Sequence, residues 1–431
     1  MAAGLGTRMR SQTAKHFHSL VGRRMVDWVI ESVRESGTGR VVVVTSPDGR
    51  DAFGDVEVAV QEVPRGTGDA VAAARATLAD FRGDVLVVAG DSPLLTGKLL
   101  RALVDEHRRQ EAAVTVLSAV PSEPLPYGRI VRDESGVLRA IVEATDATPE
   151  QLAIRELNAS VYVFAADALW SALERLQPAN AQGELYLTDT IGLLVADGRR
   201  AAVHEAPEPV ETQGVNTRVD LAQAEAVLRQ RINERHMLSG VTVVDPQSTW
   251  IEPDVEIESD SVIHPGTFLR GSTRIATGAE IGPFAVLVDA VVGPDTLVGP
   301  FCYVRPGTVL EAGSKAGTFV EIKNAHVGAG AKVPHLSYIG DAEIGAGTNI
   351  GAGNITANFA HQPGQPKKRT VFGRNVRTAV HNSFIAPVTI GDDAWTAAGS
   401  VITDDVPPES LAGFPPRQVT KEGYVRRKRD D

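Results

Sequence analysis

The run GLGTRMRSQTAK occupies residues 4–15 and sets Arg8 and Lys15 behind two glycines. Glycines let backbone N–H groups approach a polyphosphate closely, and two nearby cations add to that attraction. Such a loop is only weakly diagnostic by itself. Asp91 stands in VVAGDSPLL, just after an apolar run. The carboxyl end of a buried strand is where open α/β sheets take their ligands. A carboxylate there suits Mg2+, which binds one or two carboxylates together with substrate phosphates. The plainer role for the same aspartate is a helix cap. Between the two, QEVPRGTGDA carries Gln61, Gly66 and Thr67, groups that can read a nucleobase edge by hydrogen bonds. Far downstream, KVPHLSYIGD holds His335 and Tyr338. An imidazole there is a candidate general base, although a solitary histidine is more often structural.

Two kinds of element must position these residues. RVVVVTSP (40–47) and DVLVVAGD (84–91) read as strands buried on both faces. MVDWVIESVRES from Met25 and DAVAAARATLADF from Asp69 read as helices between them. Alternation of this kind predicts an α/β sheet with a parallel core over residues 1–218. Residues 219–239 carry apolar groups at helical spacing among many charges, which predicts a linker helix. From 240 to 431 the pattern changes. Ile257, Ile263, Leu269, Ile275, Ile281 and Leu287 fall six residues apart, and after one five-residue step Val292, Val298, Val304 and Leu310 continue the series. A six-residue period with one aliphatic per repeat predicts a parallel β-helix. The period breaks at 313–338 and 355–371, which predicts loops on one face, where sites are built.

Bulk properties narrow the partners. The 431-residue chain has a formal net charge of −11, which argues against nucleic acid as a main partner. Cys302 is the only cysteine, so no internal disulfide and no cysteine-based zinc site can form. No run approaches the ~18 apolar residues of a membrane helix, and no signal-peptide pattern opens the sequence. A reducing cytoplasm is the expected compartment.

Taken in order, the glycine loop, QEVPRGTGDA, VVAGDSPLL, YGRIVRD (127–133), IVEATDAT (141–148), ELNAS (156–160) and QGVNTR (213–218) resemble the sugar-nucleotide pyrophosphorylases. With the hexapeptide half added, the whole chain is similar to the bacterial bifunctional family that acetylates glucosamine-1-phosphate and uridylylates the product. The resemblance implies a Rossmann-like nucleotidyltransferase domain followed by a left-handed parallel β-helix of hexapeptide repeats. It also implies a cytoplasmic homotrimer that uses Mg2+, acetyl-CoA and UTP and acts on small sugar phosphates, with no nucleic-acid or membrane partner. The product, UDP-N-acetylglucosamine, feeds bacterial cell-wall polymers.

Carried over residue by residue, the family assigns nucleotide and sugar binding to Met1, Ala2, Ala3, Gly4, Lys15, Gln61, Gly66, Thr67, Ala89, Gly90 and Asp91, and to Gly128, Glu143, Asn158 and Asn216. Arg8 and Lys15 are the expected catalytic cations, and Asp91 and Asn216 the metal ligands. In the second half the resemblance assigns the sugar phosphate to Arg305, Glu321, Lys323, Tyr338 and Asn349. His335 becomes the general base, with Glu321 orienting its ring. Ala352, Asn358, Phe359, Val380 and Ala398 are assigned to acetyl-CoA, and the Ala352 amide to the oxyanion. Lys367 is expected to clamp phosphate from a neighbouring subunit.

The sequence departs from the family pattern in places. The strand that precedes the family's glycine loop has no counterpart before Met1, which reads either as a start inside a longer gene product or as a degenerate first half. Ala14, Ala89 and Thr145 replace a proline, an aromatic residue and a lysine. Ala379-Val380-His381 replaces Gly-Ser-Asp, and Phe359 a tyrosine. Pro415 stands in place of a coenzyme-binding arginine, with Arg417 nearby. Two rival readings stay open: a diverged paralogue with one activity or a related amino-sugar substrate, and a non-catalytic regulatory scaffold.

Overall fold

In the computed structural model the valine run becomes β1 (Val42–Thr45), paired in parallel with β2 (Glu57–Val60). The structure describes residues 1–4, 6–123, 125–359, 365–413 and 418–425. Pro415 and Arg417 lie outside them. The chain divides into two compact units, Met1–Leu228 and Arg229–Asp431.

The first unit alternates helices with strands. Helix α1 (Met25–Glu35) precedes β1, and α2 (Thr67–Ala73) follows β2. Then come β3 (Asp84–Val87), α3 (Gly97–Arg109), β4 (Val114–Ala119), β5 (Arg129–Arg132), β6 (Leu138–Val142) and β7 (Leu157–Ala165). Helices α4 (Ala166–Leu173) and α5 (Asp189–Ala196) and strand β8 (Ala201–Glu205) follow, and the 21-residue α6 (Arg218–Leu238) runs from the first unit into the second. The apolar faces of α3, α4 and α5 cover β4 and β7, with Leu103, Leu117, Phe164, Leu169 and Ile191 fully buried.

Three sequence expectations need correction here. The core of the sheet is mixed, not parallel. β7 pairs antiparallel with β3 on one edge and β4 on the other, while β8 extends β4 in parallel. The chain reaches β7 from the antiparallel β5–β6 pair with no long helical crossover, and a crossover is what parallel strands require. Nor is β3 buried on both faces: Asp84, Val85 and Leu86 are only half-buried. Helix α2 also stops at Ala73, where its bonding tightens to i→i+3, and Ala74 and Leu78 beyond it still pack against Val44 and Ala59.

The second unit is a parallel β-helix. Short strands stack into three parallel ladders of six, nine and eight members, and three further strands continue the first ladder beyond Asn349. Ile263, Leu269, Ile275, Ile281, Leu287, Val292, Val298, Val304 and Leu310 all point inward and are buried. Ile257, in the first coils, is half-buried. Each ladder bond joins neighbouring coils, as in the register Leu269↔Leu287 and Leu287↔Val304.

The expected loop at 313–338 does not exist. Lys315–Thr318, Glu321–Lys323, His326–Val327 and Lys332–His335 continue the ladders without a break. The inward positions are Ala316, Ile322, Val327 and Val333. Ala316 hides the period because it is small, and Gly317 beside it has no room for a side chain, since a Cβ there would collide with the Pro334 carbonyl. The second break is an excursion, from Ile355–Ala357 to Thr370–Phe372. Cys302 is buried, and burial pushes its thiol up to about 12. Among the described residues no helix is long and apolar enough to cross a membrane.

Candidate active sites

The first site is built where the ends of the strands meet the glycine loop. Gly6 has φ 60°, and a Cβ there would lie 2.6 Å from the Lys15 Cβ, so a glycine lets the loop fold back on Lys15. The Lys15 ammonium donates to the Asp91 carboxylate and, at 3.1 Å, to Asn216 Oδ1. Arg8 donates to the same Asn216 oxygen at 2.8 Å. The three segments are also locked by backbone: Val215 N donates to the Asp91 carbonyl, and Gly90 N to the Met1 carbonyl at 2.7 Å. Ala2 and Ala3 are buried and Gly4 is exposed; the half-buried Ala89 leads into Gly90. His16 is buried beside this cluster, and burial drives its imidazole down to about 4, so it is neutral there.

A second cluster surrounds Gly128. A side chain at Gly128 would press on Glu143 and Asn158, so these three predicted residues share one pocket wall. Asn158 donates to the Tyr162 hydroxyl at 2.8 Å, and Thr188 donates to Glu143 at 3.2 Å. Burial raises the Glu143 carboxyl above the usual carboxylate range, and Asp146 and Asp189 nearby act in the same direction. A third cluster holds Gln61, which donates to the Gly66 carbonyl at 3.1 Å and to Asp69 at 2.8 Å. Thr67 accepts from Leu187 N, next to Thr188, which ties this cluster to the Glu143 wall.

Several residues that hold these groups were not foreseen. Tyr127 accepts from Gly214 N at 3.2 Å and so links the Gly128 wall to the Asn216 loop. Asp220 accepts from Asn216 N and Thr217 N, while Thr217 accepts from Asp220 N. That reciprocal cap at the start of α6 is written in the sequence as Thr217-x-x-Asp220. Nothing in the sequence announces Tyr127, whose partner is 87 residues away.

Among the described residues no three acidic, histidine or cysteine side chains gather as a metal site. The donor set nonetheless fits magnesium. Asp91 and Asn216 already turn their oxygens onto one cation, the Lys15 ammonium, and Mg2+ needs few protein oxygens when phosphates supply the rest.

In the β-helix, His335 ends its strand at an exposed corner. Among the described residues no hydrogen bond holds its ring. Its carbonyl accepts from Gly353 N at 3.4 Å, which sets the Gly351–Gly353 turn on the adjoining coil. The Ala352 N–H has no acceptor among the described residues, and it lies one coil from the candidate base. The same corner continues upward: His381 N donates to the Ala352 carbonyl, and Gly399 N to the Val380 carbonyl. Ala352, Val380 and Ala398 therefore line one edge of the solenoid.

The sugar-phosphate residues divide between ladders. Glu321 and Tyr338 are register partners, and Lys323 pairs with Gly340. A Cβ on Gly340 would strike both the Tyr338 hydroxyl and the Asn358 amide, which places those two groups together. Asn358 and Asn324 both donate to the buried Asp341, another residue not foreseen. Asn349 instead bridges Lys332 and Arg377 in a different ladder. Phe359 is exposed at the start of the excursion.

One expected contact is not formed. Glu321 does not reach His335; its carboxylate accepts from Arg305 at 2.7 Å. Lys367 meets Lys323 of its own chain, and that neighbour pushes the Lys323 ammonium down. Lys323 and Lys367 together, with Arg305 adding to the positive field, give this surface a local positive charge.

Residues 1–188 match the family described as MobA-like NTP transferase domain. Proteins named "Bifunctional protein GlmU" match the whole length. That of Mycolicibacterium vanbaalenii is 46% identical across 100% of this chain and 92% of its own. The Mycobacterium tuberculosis protein is 45% identical with the same coverage, and the Thermobifida fusca protein 46%, over 94% of its length. The chain belongs to the bifunctional GlmU family. The chain is thus an enzyme, and the rival reading of a non-catalytic scaffold falls away. For a GlmU protein the nucleotidyltransferase half is the first unit, and the clusters around Lys15, Glu143 and Gln61 lie inside it.

Proposed function

We propose that one chain performs two consecutive transfers: acetyl from acetyl-CoA to glucosamine-1-phosphate on the β-helix, then UMP from UTP to N-acetylglucosamine-1-phosphate in the first unit. The observation that carries the second step is the Lys15 ammonium held between Asp91 and Asn216 at the mouth of the glycine loop. Asp91 and Asn216 would hold Mg2+, which when bound offsets charge on the triphosphate. The loop amides and Arg8 orient the phosphates, and Lys15 turns from Asp91 to the oxygens of the transferring group. The sugar phosphate oxygen bonds to the α-phosphorus of UTP as pyrophosphate leaves, and charge that builds there in the transition state meets preorganised donors. The attacking sugar phosphate is already ionised, so no base is needed. Gln61 and Gly66 face the base of the nucleotide, and Gly128, Glu143 and Asn158 the sugar.

On the β-helix, Arg305, Lys323 and Lys367 take the phosphate and Tyr338 the sugar. The His335 ring accepts the proton of the amine as it attacks the thioester carbonyl, and the Ala352 amide faces the oxyanion. Ala352, Val380 and Ala398 take the coenzyme along the corner. Val380 supplies no hydroxyl there, so coenzyme contact at that coil is by shape alone. Incubation with glucosamine-1-phosphate, acetyl-CoA, UTP and Mg2+ is expected to yield UDP-N-acetylglucosamine by mass, through N-acetylglucosamine-1-phosphate. Absence of the acetylated intermediate under these conditions would return the reading to a single-activity paralogue.

The same reading includes a cytoplasmic homotrimer. Phe284, Phe301 and Phe319 stack along one edge of the solenoid with ring centroids 5.2 and 5.3 Å apart, and each is about half exposed, as is Leu336 beside the stack in sequence order. A continuous aromatic ladder left in water is the surface a neighbouring subunit covers. Arg305 and Asn349 lie in different ladders, so a site that uses both can draw them from two subunits. Light scattering at micromolar concentration is expected to give three times the 45.7 kDa chain mass. A stable monomer that still acetylates would remove the shared-site argument.

A further inference from the structure

Asp341 stands at a corner of the β-helix, between Tyr338–Gly340 and Ala342–Ile344. Its φ is 49°, a left-handed value that Asp and Asn adopt more readily than other residues with a side chain. Asp289, Asp295 and Asp393 share that conformation at other corners, and all three are exposed. Asp341 is only 5% exposed. Buried carboxylates are ordinarily paired with a cation, yet among the described residues no ammonium or guanidinium bonds this one. Its two oxygens accept from two amides instead: Oδ1 from Asn324 Nδ2 at 2.6 Å, and Oδ2 from Asn358 Nδ2. Only a carboxylate can accept on both sides in this way, since an asparagine side chain has one acceptor oxygen and one donor nitrogen.

The bonds of this one residue reach the coils on either side. Its N–H donates to the Lys323 carbonyl at 2.9 Å, and its carbonyl accepts from Thr370 N at 3.2 Å. Asn358 lies where the excursion leaves the solenoid, and Thr370 where it returns. Lys368 N closes the base of the excursion on the Asn358 carbonyl at 3.3 Å. Arg369 donates to the Ala342 carbonyl at 3.1 Å and to the Glu343 carboxylate, which ties the returning leg to the coil of Asp341 itself. Lys367 adjoins these ties and meets Lys323, whose carbonyl Asp341 holds. Lys367 pushes the Lys323 ammonium down, desolvation and Arg305 act in the same direction, and Asp341 opposes them. On the other side, the Asn358 amide and the Tyr338 hydroxyl crowd the same space over Gly340.

We propose that Asp341 is a positioning residue of the acetyl-transfer site: its carboxylate clamps the base of the excursion and so sets Lys367 against Lys323, and the Asn358 amide against Tyr338. The assignment rests on the roles proposed above for Lys323, Lys367 and Tyr338, and Asp341 acts through them.

The test uses the full chain with Asp341→Asn, which keeps the backbone preference and the size but turns one oxygen into a donor facing the Asn358 amide. A double variant, Asp341→Asn with Asn358→Asp, reverses the pair: a carboxylate at 358 accepts from the amide at 341, and Asn324 keeps its acceptor. Hydrogen exchange read by mass over 366–370 is expected to quicken about tenfold or more in the single variant, the scale of a lost hydrogen bond to a charged group. It should return towards the parent in the double variant. Exchange over 262–275, several coils away, reports an intact solenoid. In acetyl transfer the KM for glucosamine-1-phosphate is expected to rise about tenfold in the single variant while kcat changes less than about threefold, the pattern of lost binding. Uridylyl transfer should be unchanged. A merely structural role would lower kcat through loss of folded enzyme and leave KM where it was.

Unchanged exchange over 366–370 in the single variant overturns the clamp. Exchange that does not recover in the double variant overturns the pairing with Asn358. Faster exchange with an unchanged KM, or a loss confined to kcat, makes Asp341 structural and removes it from the site. A parent chain that transfers no acetyl group overturns the function on which the assignment rests, and exchange, which uses no catalysis, tells that failure from a failure of the clamp.

Discussion

Replacing His335 with alanine is expected to lower acetyl transfer by about 10²–10⁴-fold, the usual contribution of a positioned general base. Uridylyl transfer to supplied N-acetylglucosamine-1-phosphate should persist. The amine of the acceptor is largely protonated in neutral water, so its attack on a thioester depends on a nearby group that takes a proton. His335 suits that role because its ring is exposed at a corner and unheld among the described residues, one coil from the Ala352 N–H. Its structural contribution runs through the backbone instead: the carbonyl accepts from Gly353 N and from the Ser337 hydroxyl. Alanine preserves both bonds, so the fold should survive. If the variant acetylates within a few-fold of the parent, the histidine is structural, and a single-activity paralogue becomes the better reading.

The converse result is expected at Asp91. Alanine there should reduce uridylyl transfer by about 10²–10³-fold, the scale on which one electrostatic element of a preorganised site is felt, while acetyl transfer is unaffected. Two effects combine. A magnesium ligand is lost, and the Lys15 ammonium, whose side chain is only 12% exposed, loses its carboxylate partner. Asparagine separates them, since it keeps an oxygen for the cation but no charge. Raising the Mg2+ concentration should recover part of the activity of Asp91→Asn and little of Asp91→Ala. No loss in either variant would remove Asp91 from the site and leave it as a cap on the loop.

How much of this was legible in the sequence depends on the distance over which each signal acts. The inward aliphatics of the β-helix repeat locally, so Ile263 through Leu310 could be placed residue by residue. The period was lost at Ala316 because the pattern depends on side-chain size, while the fold depends on backbone register, which continues there unchanged. In the first unit the valine runs marked strands but not their neighbours. That β7 runs antiparallel between β3 and β4 follows from connection geometry, on which hydrophobicity is silent. Lys15, Asp91 and Asn216 were named separately by motif, and their convergence on one cation is a fact of the folded chain. Tyr127, Thr188 and Asp341 act by holding other residues, so their types carry no chemical signature. Glu321 was expected to orient the His335 ring, and its carboxylate meets Arg305 instead.

The excursion between Ile355–Ala357 and Thr370–Phe372 leaves the solenoid and returns to it without disturbing the stack. Each coil is bonded only to the coils on either side, so the chain behaves like a column in which an interruption costs stability locally. Lys367 is carried on this outgrowth while its neighbour Lys323 belongs to the column. Under the proposed function the phosphate subsite would therefore combine a residue of the column with a residue carried beside it. If that function holds, changes near Lys367 would alter the phosphate contact and leave the coil that carries His335 intact.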